Sequence, residues 1–516
     1  MAQSALPISK PRLTHLLSGN YALEPEEISS IRHEIQVIDK IKQAPSKLQH
    51  ELEAHESKLA ECRALLSSLR RSTIPPELLG EIFRLALEGP VSSTLDSDVL
   101  VRLCLVCKAW RDVALATPSL WTSVDLKDLT TAPSANKLKT WFLRSGSLPK
   151  RLYFDGTDST GRCNQGEEGC LLSSPDVVQF FANGPTLDEV KLQCARPSCL
   201  ENLLNLIKRG QNDSRPWDSL RSLKVGFYGW PISSGPSKWA LLYSLPPISS
   251  LSLNFPRHYV SLLGILAPLP PFDGLTSLTL VCDLPLSWAL QSLKNGRNLT
   301  TLVLDYNLNK RLRNAGAVHR YERDSNPVFL PRLETLRLRR MINSGDNSLI
   351  LRKIKTPSLQ TLELTFKYNR WSEDMPSPAA RNKMELCQDI ISLVTGVDGA
   401  LDLRNLCLER ASIPSRGLHD ILSALPSLTC LVLDSVETDF ALLEKARAAE
   451  SLLPRLKSLE VIGDKVFNPE EIYAFLRAGD ASVENALSPA WKSTIYPPDP
   501  WDKNGDRSST IQRWTC

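Results

Sequence analysis

Cysteine, histidine and carboxylate are the residue types most able to do chemistry, and the chain offers them in few suggestive arrangements. Cys104 and Cys107 form a C-x-x-C. No second C-x-x-C or paired histidine follows at zinc-finger spacing, and four ligands are what a structural zinc requires. Both cysteines lie in the apolar run Leu103-Cys104-Leu105-Val106-Cys107, where a thiol behaves as a small hydrophobe. The pattern points to buried thiols. Cys163 and Cys170 bracket a glycine-rich acidic stretch, Gly161 to Cys170, that reads as a solvated loop. Glu167 and Glu168 within it have no apolar setting to raise a carboxyl pKa. The seven histidines, His15, His33, His50, His55, His258, His319 and His419, pair with no cysteine or carboxylate at a nucleophile or metal spacing. Phosphate-binding G-x-x-x-x-G-K-[ST], dinucleotide-binding G-x-G-x-x-G after a strand, and the G-x-S-x-G elbow are all missing. The expectation is a protein without catalytic residues, cofactor or metal. A site assembled only in space leaves no such trace, so a hidden active site stands as the third reading.

Composition narrows the partners. Sixty-one Lys and Arg against 57 Asp and Glu give a net charge of +4 on 516 residues, too small an excess to argue for nucleic acid. No apolar run reaches the roughly 20 residues that cross a bilayer, so no membrane is expected. Met1 to Lys10 lacks the order of a secretory signal, and Arg513 stands where a prenylation box would need its Cys. The twelve scattered cysteines suit a reducing compartment, so the expected location is cytoplasmic or nuclear. At this length the chain needs several structural units or a repeat array.

The elements that position these residues come in blocks. Residues 1–25 show no periodicity and read as a loose tail. Within 26–70, Ile28, Ile31, Ile35 and Ile38 recur at spacings of 3, 4 and 3. After Pro45, the positions Leu48, Leu52, His55, Leu59, Cys62, Leu66 and Leu69 continue a heptad seam. Pro45 interrupts the helix, so a helical hairpin and a coiled-coil dimer both satisfy the spacing. Residues 72–125 read as three short helices. Thr73 can cap the first, Pro75 and Pro76 suit its start, and Leu78, Leu79, Ile82 and Phe83 form its apolar stripe. The second runs from Leu100 past Trp110 to Val113. Pro118 opens a final turn with Leu120 and Trp121. Fifty residues cannot bury that much apolar surface alone, so part of it must face a partner.

After a linking segment, 126–150, the phrase L-x-x-L-x-L recurs through 151–480. It begins at Leu187, Leu220, Ile248, Leu275, Leu299, Leu333, Leu359, Leu403, Leu428 and Leu456. This is the leucine-rich repeat signature, in which each unit buries its leucines only by stacking on the next. Helices are expected between strands at Glu201–Arg209, Met384–Val394 and Arg416–Leu425. Loops are expected at 229–237 and 312–327. The fold class is therefore an α/β repeat: a helical hairpin or coiled coil, a helical trio, then a leucine-rich repeat solenoid. A tail at 481–516 follows, with Trp491 and Trp501 available to dock on the last repeat.

The trio resembles an F-box. Its opening Ile-Pro-Pro-Glu-Leu-Leu-Gly-Glu-Ile-Phe, its middle Val-Cys-Lys-Ala-Trp-Arg-Asp-Val-Ala and its close Thr-Pro-Ser-Leu-Trp follow the family's pattern, with Ile74 in place of the usual Leu. The plan of a heptad helix, the box, Trp-Phe-Leu-Arg-Ser-Gly-Ser-Leu-Pro at 141–149 and then repeats is similar to mushroom-type fungal F-box proteins. The resemblance implies docking on the Skp-type linker subunit of a cullin ubiquitin ligase. Pro75, Pro76, Glu77, Leu78, Leu79, Ile82 and Phe83 would supply the first surface. Leu105, Val106, Cys107, Trp110, Leu120 and Trp121 would complete it, some as contact and some as packing. Trp110 and Trp121 are the expected anchors, since Trp dominates interface hot spots. The repeats would hold an unidentified protein substrate, and proximity would do the catalytic work. The alternative is a leucine-rich repeat scaffold acting outside any ligase.

Overall fold

The computed structural model describes residues 25–41, 56–64, 74–87, 96–126, 133–157, 170–209, 216–229, 245–256, 269, 273–282, 286–306, 327–341, 350–367, 379–396, 401–411, 413–436, 440–450, 452–463, 469–478, 492–496 and 510–515. They form two compact units, one within 1–125 and 142–148, the other within 126–141 and 149–516. The segment 126–150, expected as a link, is thus divided between them. Pro45, the cap Thr73, the loops expected at 230–237 and 312–326, Cys163, Trp491 and Trp501 lie outside the described residues.

In the first unit, helix α1 (Pro25–Ile41) and helix α2 (residues 56–64) follow the heptad seam. Ile31 and Ile38 from one and Leu59 and Cys62 from the other are buried. Lys58 reaches Glu34 at 2.9 Å, so the two helices meet within one chain. Burial raises the pKa of the Cys62 thiol, and the nearby Glu34 carboxylate adds to the effect. The trio follows as α3 (Pro76–Leu87), α4 (Asp96–Val106), α5 (Lys108–Ala116) and a 3-10 turn (Pro118–Trp121). The single second helix expected from Leu100 to Val113 is broken at Cys107. There the backbone is extended, and the thiol accepts the Trp110 N–H at 3.5 Å as the cap of α5. A cysteine inside an apolar run carries no sequence signal for a helix start, because capping is a role usually filled by Ser, Thr, Asp or Asn.

The second unit is built on parallel strands. They are β1 (Arg151–Asp155), β2 (Glu189–Cys194), β3 (Ser222–Phe227), β4 (Ser250–Asn254), β5 (Ser277–Cys282), β6 (Thr301–Tyr306), β7 (Thr335–Met341), β8 (Thr361–Phe366), β9 (Asn405–Glu409), β10 (Cys430–Asp434) and β11 (Ser458–Gly463). Each pairs with the next in sequence order. The register explains the recurring phrase. Its second leucine forms one column: Leu152, Val190, Leu223, Leu251, Leu278, Leu302, Leu336, Leu362, Leu406, Leu431 and Leu459. Its third forms a parallel column two residues on, from Phe154 to Val461, and both columns are buried. The first leucine of the phrase, from Leu187 to Leu456, is buried as well. Residues between the columns point the other way, as the period of two along a strand demands; most are half-buried, Lys191 and Lys224 are exposed, and Val303 is buried.

Helices cross between several strands, among them Pro197–Arg209, Ala379–Thr395 and Ser415–Ser423, which contain or overlap the stretches expected from sequence. Two further strands, Lys492–Tyr496 and Thr510–Thr515, lie antiparallel at the far edge. Thr510–Thr515 pairs with β11, so part of the tail is strand.

Candidate functional site: an apolar stripe on the helical trio

Helix α3 begins where its sequence allows it to. Pro76 occupies the first position, whose N–H would be unsatisfied in any case, and Leu79 N–H makes an early helical bond to Pro75 O at 3.0 Å. Glu77 in the first turn suits the positive end of the helix dipole. The four apolar residues expected to form one stripe form two. Leu79 and Phe83 are buried, with Gly80 between them. Leu78, Ile82 and Leu85, spaced 4 and 3, are 58%, 48% and 59% exposed. Helix α4 repeats the division. Leu100 is buried, while Val101, Leu105 and Val106 are exposed, Leu105 by 69%.

The interior side has a specific frame. Phe83 meets Trp110 with ring centroids 5.0 Å apart and planes tilted by 59°. A Cβ on Gly80 would stand 2.7 Å from Thr117 Oγ1, so only glycine lets α3 approach that close. Thr117 Oγ1 donates to Val113 O at 2.7 Å. Arg111 Nε donates to Cys104 O at 3.1 Å and ties α5 to α4. Trp121 is 1% exposed, and its indole N–H donates to Ala114 O at 2.7 Å. Burial raises the Cys104 thiol pKa, while the Arg144 and Arg111 charges pull it back. Glu81 is held below the usual carboxylate range by its hydrogen bond from Arg84.

The expected docking residues therefore fall into two sets. Pro75, Pro76, Glu77, Leu78, Ile82, Leu105 and Val106 are exposed. Leu79, Phe83, Leu120 and Trp121 are interior, and Cys107 and Trp110 are half-buried. Trp121, expected as an anchor, is a strut whose only polar atom bonds inward. Trp110 packs on Phe83, and its indole N–H meets no acceptor among the described residues. Leu85, Val101 and Leu115 are exposed and were not anticipated. Leu85 continues the spacing of Leu78 and Ile82, a signal that was available in the sequence.

Six large aliphatic side chains left in solvent on two adjacent helices are too many for a surface with no partner. With a rigid frame behind them, they can do one thing chemically: bury against a complementary apolar groove. No described helix is long and apolar enough to cross a membrane. The chain matches no curated protein. Residues 72–127 match the F-box-like family model, and domains of that family generally bind Skp-type linkers. The trio with its outward stripe is an F-box-like domain.

Proposed function

We propose that this chain is a non-enzymatic substrate adaptor of a cullin-type ubiquitin ligase. The F-box-like domain docks on the Skp-type linker through Leu78, Ile82, Leu85, Val101, Leu105 and Val106, with Pro75, Pro76 and Glu77 at the rim. Leu79, Phe83, Trp110, Leu120 and Trp121 hold the helices in the docking geometry. The strand-and-helix unit is a leucine-rich repeat array that binds a protein substrate. The linker and cullin bring the charged conjugating enzyme near a substrate lysine, so the rate gain comes from raised effective concentration. The observation that carries this reading is the exposed aliphatic stripe on an otherwise well-packed F-box-like domain.

The test is co-purification of the full chain with a Skp-type linker and a cullin. A stoichiometric ternary complex, lost in the Leu78→Asp/Ile82→Asp variant while circular dichroism is unchanged, is the expected result. Linker binding with no cullin recruited would favour a scaffold outside any ligase. No linker binding at all would overturn the proposal.

A further inference from the structure

The first unit does not stop where the family match stops. Residues Phe142–Leu148 return to it after the chain has contributed 126–141 to the other unit. Phe142 is fully buried, and so is Ser145, whose Oγ donates to Phe142 O at 2.7 Å. Ser145 N–H donates to the same carbonyl at 3.2 Å, Gly146 N–H to Leu143 O at 3.3 Å, and Leu148 N–H to Ser145 O at 3.2 Å. These bonds close the end of helix α6 (Ala135–Leu143), and Gly146 takes the left-handed φ of 59° that such an ending favours. The result fixes Arg144 over Trp121, with its guanidinium carbon 4.4 Å from the ring centroid. Trp121 is thus held from two directions, by the Ala114 carbonyl of α5 and by the Arg144 cation.

We infer that residues 142–148 complete the docking module, with Phe142 as the anchor of the segment and Arg144 as a positioning residue acting through Trp121. The inference rests on the reading of the trio as a docking module. The segment carries the Phe-Leu-Arg-Ser-Gly-Ser-Leu core of the phrase at 141–149, for which the adaptor reading alone provides no role. Arg144 does not belong to the exposed stripe; it keeps Trp121, and with it the C-terminal end of α5, in one place. Its charge also acts on the Cys104 thiol of α4, which puts the guanidinium within electrostatic reach of the second stripe-bearing helix.

The test uses the full chain with three single substitutions: Arg144→Ala, Arg144→Lys, and Lys139→Ala as a control that removes an exposed cation from helix α6, which ends just before Arg144. Hydrogen exchange of the amides in 108–121 is read first, and linker affinity second. In Arg144→Ala, exchange in 114–121 speeds up about three-fold and affinity falls by a similar factor, the size of an exposed cation–π pair. Arg144→Lys restores most of both, since an ammonium can also sit over the ring, and Lys139→Ala changes neither. Unchanged exchange in Arg144→Ala overturns the inference. Equal effects from Lys139→Ala overturn it too, because net charge would then be the cause. Faster exchange with unaltered affinity would confine Arg144 to packing and also overturn it. A wild-type chain that binds no linker defeats the docking reading instead, and the exchange data still decide whether Arg144 holds Trp121.

Discussion

Neighbouring leucines at 78 and 79 should behave in opposite ways when each is cut back to alanine. Leu78 and Ile82 are about half exposed, so each has about half of its transferable surface left to bury. Full burial of such a side chain is worth about 1.5–3 kcal/mol, which leaves about 1–1.5 kcal/mol for each on docking. The Leu78→Ala/Ile82→Ala variant should therefore lose about 2–3 kcal/mol of linker affinity, or about 30- to 150-fold in Kd. Its melting temperature should fall less than that of Leu79→Ala, because about half of each side chain already faces water in the free chain. Leu79→Ala removes a buried side chain and should cost about 2–5 kcal/mol of stability in the trio. Isothermal titration against the linker and a thermal melt of the free chain separate the two effects. Wild-type affinity in the double variant, or weakened binding in Leu79→Ala with no loss of stability, would refute the division into outward and inward stripes.

Other outcomes follow from the same packing. Gly80→Ala should cost about 1–3 kcal/mol by overpacking against Thr117, and Thr117→Ala in the same chain should return part of it, as denaturant unfolding would show. Trp121→Phe should destabilise the trio by about 1 kcal/mol more than Trp110→Phe, because only Trp121 gives up an indole hydrogen bond. Leu336→Ala or Leu362→Ala, in the middle of the leucine column, should each cost about 2–5 kcal/mol and shift the unfolding midpoint of the strand unit. Burial pushes the thiol pKa up to about 11 at Cys387 and to about 12 at Cys407, where the Glu363, Glu409, Asp434 and Glu460 carboxylates add to it. Both should resist alkylation at pH 8 in the native chain and react once it is unfolded. Because these thiols ionise near 9 when unfolded and higher when folded, the unfolded state releases protons first. Stability should therefore fall as pH rises from about 9 towards 12, which a pH series of melts would reveal.

The parallel strands were legible in the sequence because their signal repeats. The leucine or valine at the fourth position of each phrase lands in one column and that at the sixth in a second, whatever the length of the intervening segment, since only the strand sets the register. The break at Cys107 was not legible, because a cysteine cap looks like one more apolar residue inside a helix. Nor was the choice between Leu78 and Leu79, where composition shows two leucines in a row. Their roles are decided by what lies across the interface: Thr117 against Gly80 and Trp110 against Phe83 turn one side of α3 inward and leave Leu78 out. Arg144 was illegible for a related reason, being more than twenty residues from Trp121 with part of another unit between.

The same arrangement explains why Trp121 lies inside and Trp110 packs on Phe83 while the outward stripe is aliphatic. A docking surface loses affinity when its own residues must be ordered on binding, at about 0.5–1.5 kcal/mol for each side chain immobilised. Leucine, isoleucine and valine lose little rotamer freedom on burial, so an aliphatic stripe binds at small entropic cost, provided that the helices beneath it are already fixed. Fixing them takes residues with large contact area and an inward hydrogen bond. Trp121 provides both, with Ala114 below and Arg144 above, and Trp110 provides the area against Phe83. Moving either tryptophan to the surface would add a strong contact but loosen the frame that makes the other contacts cheap to form. On this argument, substitutions of Trp121 should weaken linker binding through the trio's rigidity, and hydrogen exchange in α5 should rise in step with the loss of affinity.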